Sequence, residues 1–308
     1  MKYGLPYKGS KTKLADTIVE QLPPAGVLYD LFAGGCAITH AAILSGKWGR
    51  VVANDIAAYP QLFKDAAEGK YRDEYKWVSR EDFFKSDEPF DKLIFSFGND
   101  CRTYLYAQGD VEKFKRAMHY AICLHDYAPM LDGFGCDLSP IESQRTMKQR
   151  RFAAYRILAR ANQLKNWWDG GIHLENLERL ERLQNLERLE RLQGLESLRN
   201  LDRLEVSRGS YDTVRIEPDS VIYCDIPYVN TNAYGARNVS DFDYEAFYSW
   251  AEEQTVPVYI SEYWMPQDRF ECIWETRHNS YINADRPTVS IERLFVPIGR
   301  YYPKTTLF

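Results

Sequence analysis

Long apolar runs are missing from this sequence. No stretch approaches the roughly eighteen consecutive apolar residues that a membrane-spanning helix requires, so a helical membrane protein is excluded. A secretory pattern is missing too, because Met1 to Leu14 carries Lys2, Lys8, Lys11 and Lys13 without an apolar core; a cytoplasmic, unprocessed protein is expected. Cysteine is sparse. Its six copies, Cys36, Cys101, Cys123, Cys136, Cys224 and Cys272, form no C-x-x-C pair and have no histidine at ligand spacing, so neither a disulfide framework nor a metal site is expected. Acidic residues are absent from Ser143 to Trp168, where Arg145, Lys148, Arg150, Arg151, Arg156, Arg160 and Lys165 supply seven cations. The formal charge of -5 argues mildly against a nucleic-acid partner, but phosphate contacts are made by local patches rather than by the sum. Phe152, Tyr155, Ala159 and Leu164 suit one apolar helix face, which leaves the cations to solvent or to a phosphate backbone.

What is present is an ordinary globular composition, with 308 residues, 45% hydrophobic and 27% charged, enough for one large domain or two modest ones. Leu14, Ile18, Val19 and Leu22 follow helical spacing and stop at Pro23-Pro24, and Val27 to Leu31 reads as a short strand. A glycine turn leads to a helix over Ala37 to Ser45 and a strand over Val51 to Ala53, a βαβ unit. The middle, from about Tyr59 to Asn200, is more helical, with Val111 to Tyr127 at helical spacing. Strands return at Ser220 to Cys224 and Val256 to Ser261, with a helix over Asp243 to Gln254 between them and a closing strand pair at Phe270 to Glu275 and Val289 to Val296.

One segment has another texture. From Leu174 to Leu204 a leucine falls at every third position, eleven in all, and the unit Asn-Leu-Glu-Arg-Leu-Glu-Arg-Leu-Gln stands unchanged at Asn176 to Gln184 and Asn185 to Gln193. At 3.6 residues per turn such leucines wind round a helix, so a long helix is not expected; a solenoid-like stack or tight three-residue turns fit the period. A length-tolerant spacer and a DNA-recognition element both remain open as its role.

Two constellations carry chemistry. Asp30-Leu31-Phe32-Ala33-Gly34-Gly35-Cys36 ends a strand and opens a helix, a turn that lets backbone approach a nucleotide-like ligand at the positive helix end; Asp55, twenty residues after Gly35, ends the next strand, where an acid binds ribose hydroxyls. Asp225-Ile226-Pro227-Tyr228 directly follows the strand Ser220 to Cys224, with an acid facing the ligand crevice and an aromatic placed to stack on a planar base.

Tyr7-Lys8-Gly9-Ser10-Lys11, Asp30 to Cys36, Asp55 and Tyr223 to Tyr228 occur in the order of the Dam-like DNA adenine methyltransferases. The sequence resembles their alpha arrangement, phage-type members particularly, over most of its length outside the leucine repeat. That resemblance implies a Rossmann-like α/β sheet that binds S-adenosylmethionine, with a mainly helical DNA-recognition insert and the leucine-rich segment. The corresponding divisions are a catalytic domain at 1–58 and 206–308, the insert at 59–173 and the repeat at 174–205. It implies that Tyr7, Lys11, Asp30, Phe32, Gly34, Gly35, Asp55 and the pair Tyr211-Asp212 serve the cofactor, and that Asp225, Ile226, Pro227 and Tyr228 are catalytic. Arg145, Lys148, Arg150, Arg151 and Arg156 are the candidates for contact with double-stranded DNA; no partner restriction nuclease is legible. Ile226 replaces the family's first proline, but a backbone carbonyl is all that position is expected to contribute. Cys36 replaces the loop's last glycine. No Pro-Cys dipeptide occurs, which excludes the thiolate attack used at carbon 5 of cytosine. An RNA methyltransferase and a decayed DNA-binding module are the alternatives.

Overall fold

The computed structural model describes residues 2–7, 9–164, 183–228, 242–283 and 286–299. The chain divides into two units, Met1–Gly69 with Leu195–Phe308 and Lys70–Gly194.

The first unit holds a seven-stranded sheet in the order β3-β2-β1-β4-β5-β7-β6, built from β1 (Ala25–Asp30), β2 (Trp48–Asp55), β3 (Leu204–Arg208), β4 (Ser220–Asp225), β5 (Val258–Glu262), β6 (Phe270–Asn283) and β7 (Arg286–Pro297). The first five run parallel, and β7 lies antiparallel to both β5 and β6. Val221, Ile222, Tyr223 and Cys224 of β4 are completely buried, as the continuous apolar run of a central parallel strand demands. Helices α1 (Ala15–Gln21), α2 (Ala37–Ser45) and α3 (Tyr59–Ala67) belong to this unit, with α1 packed on α2. The order reverses between β1 and β4, so the crevice beyond their carboxyl ends is where a ligand fits. The closing hairpin is longer than its apolar stretches suggest, because the ladder continues through Arg277, His278, Asn279 and Ser280 and, after an irregularity, to Asn283.

The second unit carries α4 (Arg80–Lys85), α5 (Pro89–Ile94), α6 (Asp110–Leu124), α7 (Ala128–Phe134), α8 (Met147–Leu164) and α9 (Gln184–Gln193). Its buried centre is polar as well as aromatic. Trp77 stacks on Tyr106 at 5.6 Å and meets His119 edge-on at 5.4 Å. His119 donates from Nε2 to the Tyr75 carbonyl and accepts from Asn185, whose amide oxygen receives the Tyr106 hydroxyl.

Two sequence expectations need correction here. The buried face of α8 is Met147, Arg151, Ala154 and Leu158, while Phe152 and Ala159 are exposed and Tyr155 is half-buried; Leu164 has no described side chain. The face is displaced because Arg151 turns inward toward Glu187 and Glu190. The second leucine copy is an α-helix, α9, not a solenoid element. Leucines three apart step back by about 60°, so Leu186, Leu189 and Leu192 span only about 120°, the width of an ordinary buried face. Beyond three leucines the stripe would leave that face. There the chain turns to 3-10 geometry, at Gly194–Ser197 and Leu201–Arg203, where a period of three aligns, and Leu195, Leu198 and Leu204 stay buried. The first copy lies outside the described residues up to Arg182.

Candidate active site

Asp30, Asp55 and Asp225 end β1, β2 and β4, three strands adjacent in the sheet, and therefore stand along one carboxyl edge. Between them lies the glycine loop. Leu5 N–H donates to the Gly35 carbonyl at 2.7 Å, and a Cβ on Gly35 would come within 2.6 Å of Tyr7 Cβ, so the amino-terminal segment is laid directly on the loop. Cys36 takes the left-handed conformation, φ 58°, that a glycine adopts most easily. Cys36 carries the backbone strain of a left-handed non-glycine residue, and its thiol is fully buried. Tyr7 packs on Tyr59 at 4.8 Å between ring centres.

Asp55 closes the loop from the other side, with Oδ2 accepting from Gly34 N–H and Oδ1 from Ala57 N–H, both at 2.8 Å. Burial raises its pKa against the lowering effect of those amides. Asp30 is buried, and its Oδ2 accepts from the Thr39 amide at 3.1 Å and hydroxyl at 2.6 Å. Its Oδ1 is buried without a partner. Desolvation, reinforced by Asp225 and Asp55, lifts the Asp30 carboxyl to about 7. Phe32 and Tyr211, distant in sequence, stack at 5.4 Å and 26°, and both touch Phe247; Asp212 is exposed. Asn54, which sequence reasoning passed over, donates to the carbonyls of Leu31 and Gly209 and so ties β1 to the turn before Tyr211.

At the end of β4, Lys11 places its ammonium 3.0 Å from Asp225 Oδ1 and 3.3 Å from Glu292 Oε1. The same ammonium contacts the Tyr228 hydroxyl, which donates to Glu292. Tyr228 is 4% exposed and meets Tyr263 edge-on at 4.5 Å, whereas the Asp225 side chain keeps 22% exposure. Burial raises the pKa of Asp225, Lys11 lowers it, and Glu292 raises it. Tyr244, in the helix α10 (Tyr244–Glu253), donates to the Pro227 carbonyl and steadies the tetrapeptide from behind. Glu292 was missed in the sequence, although a signal existed: in a strand of period two it shares a face with Leu294 and Val296, both buried.

The cationic candidates belong to the helical unit and divide by environment. Arg145, Lys148 and Arg156 are exposed, and Lys148 and Arg156 flank the exposed Phe152 on one face of α8. Arg150 is half-buried and donates to the carbonyls of Ile122 and Gln144. Arg151 is 6% exposed and bridges Glu187 and Glu190, so its charge is committed within the protein. Lys165 lies outside the described residues.

Among the described residues no group of three His, Cys, Asp or Glu side chains is placed to hold a metal ion, and no helix is long and apolar enough to cross a membrane. Residues 7–132 match the family model of the D12 class N6 adenine-specific DNA methyltransferases, a span that includes Lys11, Asp30 and Asp55 and stops short of Asp225. No curated protein matches the chain.

Proposed function

We propose, from the premise that residues 7–132 belong to the D12 class N6 adenine-specific DNA methyltransferases, that this enzyme uses S-adenosylmethionine to methylate an adenine extruded from the DNA duplex. The observation that carries this reading is the convergence of Asp30, Asp55 and Asp225 on one sheet edge around a glycine loop.

The residues present fit the cofactor. The unpartnered Asp30 Oδ1 suits the cationic amino group of a methionine moiety, for which it is an open acceptor. Asp55 retains acceptor capacity for ribose hydroxyls, and the Phe32–Tyr211 pair offers aromatic surface to an adenine. When bound, the cofactor supplies a methyl group on a sulfonium centre.

The exocyclic amine of adenine is a weak nucleophile because its lone pair is delocalised into the ring, and within a duplex it is out of reach. Asp225 and the carbonyl of Ile226 accept hydrogen bonds from that amine, localising the lone pair and aiming it for direct displacement. The Tyr228 ring stacks on the extruded base. No enzyme nucleophile is required, so the buried cysteines have no chemical part. Phosphate contacts fall to Arg145, Lys148 and Arg156.

Transfer of radiolabelled methyl groups to DNA, RNA or neither tests the reading, with modified adenines mapped in DNA from a methylation-free host. Labelled RNA with unlabelled DNA overturns it. Cofactor affinity without transfer to either points to a decayed site.

A further inference from the structure

Lys11 stands between two carboxylates, and only one of them belongs to the catalytic tetrapeptide. We propose that Glu292 is a positioning residue that tethers the Tyr228 hydroxyl and retains the Lys11 ammonium when Asp225 turns to the target amine. This inference rests on the methyltransferase reading above.

The geometry supports it in three steps. Asp225 Oδ1 already accepts from Lys11 at 3.0 Å, so a target amine that takes the same oxygen competes with an ammonium. An ammonium that lost its partner in so dry a place would be costly. Glu292 Oε1 lies 3.3 Å from the same nitrogen and is 2% exposed, a second seat already built into the wall. Lys11 can therefore give up Asp225 without becoming an unpaired buried charge.

Tyr228 depends on the same acid. Its ring must present a face to a base at fixed tilt, yet a phenol can rotate and rock about its Cβ. Glu292 accepts from its hydroxyl on β7, and Tyr263 braces its ring edge. An acid held by β7 thus fixes an aromatic that follows β4. On the same strand Arg293 donates to the Tyr263 carbonyl, and the groups facing Asp225 are Lys11, Tyr228, Tyr223, Cys224, Asp30 and Glu292.

Glu292→Gln is the informative change, because the amide oxygen still accepts from Tyr228 while the charge is gone. Lys11 then loses the second of its two carboxylates, Glu292. The expected result is a kcat lowered roughly tenfold to a hundredfold, the worth of a hydrogen bond to a charged group, with the affinity for S-adenosylmethionine unchanged by calorimetry. Loss of the Glu292 charge also removes one of the influences that raise Asp225, so the acid limb of the pH–rate profile moves to lower pH. Glu292→Asp, which keeps the charge, returns that limb to its wild-type position and recovers part of kcat. Should the Gln variant fail to bind cofactor, Tyr228→Phe carries the test: its kcat loss is reduced when combined with Glu292→Asp, since both act on the same hydroxyl. Wild-type kcat with an unmoved acid limb in Glu292→Gln, or full additivity in the double variant, overturns the inference. Retained activity in Asp225→Ala would instead remove the methyltransferase assignment of the tetrapeptide, a separate outcome.

Discussion

Lys11 Nζ lies 3.0 Å from Asp225 Oδ1, joining a residue of the amino-terminal segment to the end of the fourth strand across more than two hundred positions of sequence. Burial raises the pKa of this acid, assigned here to the target amine, and Lys11 opposes that rise. Replacing Lys11 by Met leaves Asp225 and Glu292 facing each other without a cation, so the Asp225 pKa rises and activity on the acid side is lost at higher pH than in the wild type. A turnover loss of about 100-fold is expected, in the range for a positioned group at a reacting centre. A pH–rate profile of the variant whose acid limb coincides with the wild type refutes this role for Lys11.

The orphaned oxygen of Asp30 predicts proton-linked cofactor binding. With its carboxyl lifted to about 7, Asp30 is largely protonated below neutrality, and a cationic amino group requires the ionised form. Cofactor affinity therefore weakens as pH falls below about 7, and binding near pH 7 releases a proton to buffer. Calorimetry in two buffers of different ionisation enthalpy measures that proton; Asp30→Asn abolishes the pH dependence and lowers the affinity. Equal heats in both buffers would show that Asp30 does not meet the amino group.

The exposed face of α8 and its buried face give opposite expectations. Lys148→Ala with Arg156→Ala should flatten the dependence of log affinity for DNA on log salt by about 0.9 per lost phosphate contact, with the thermal midpoint unchanged. Arg151→Ala should do the reverse, lowering stability by about 1–3 kcal/mol, since Glu187 and Glu190 lose their shared partner, while the salt slope holds. Binding assays at graded salt and thermal melts of both variants separate the two. A slope indifferent to the double change makes that face an ordinary solvated surface.

His119 should make the helical unit sensitive to acid. Burial lowers its pKa to about 4, against about 6.5 for a free imidazole. The unfolded chain therefore binds the extra proton first, and stability present above pH 6.5 is lost as pH falls toward 4, by roughly 3 kcal/mol at 1.36 kcal/mol per unit. Chemical denaturation of the wild type and His119→Gln across that window is the measurement. The variant should show the shallower slope, and parallel curves would mean that His119 has the same pKa in the folded and unfolded chain.

The framework of the first unit was legible because its signals are local. The helix Ala37–Ser45 is bounded in the sequence by a glycine loop and Gly46, and the strand Ser220–Asp225 is a run of apolar residues ended by an acid. The aspartates of the edge followed from strand ends alone. What escaped is what depends on pairing over distance. Arg151 looks like any other cation in an acid-free segment until Glu187 and Glu190 are brought beside it. Phe32 and Tyr211 each stood in a motif, but their stacking requires the sheet to bring them together. Glu292 is an acid among strand residues whose partner phenol is sixty-four positions away. The helical form of the second leucine copy was missed because the drift argument, sound for eleven leucines, has little force over three.

Because the two nine-residue copies are identical and adjacent, deletion of either yields the same polypeptide. A shift of nine positions would bring Leu177, Leu180 and Leu183 to the places of Leu186, Leu189 and Leu192 with the same residues between them. The two registers differ in what flanks the helix. The present one is followed by Gly194 and reaches β3 through the two short turns, whereas the shifted one would be followed by Asn185 and would leave nine further residues to be accommodated before Leu204. Only the flanks, and not the nine residues themselves, distinguish the two registers.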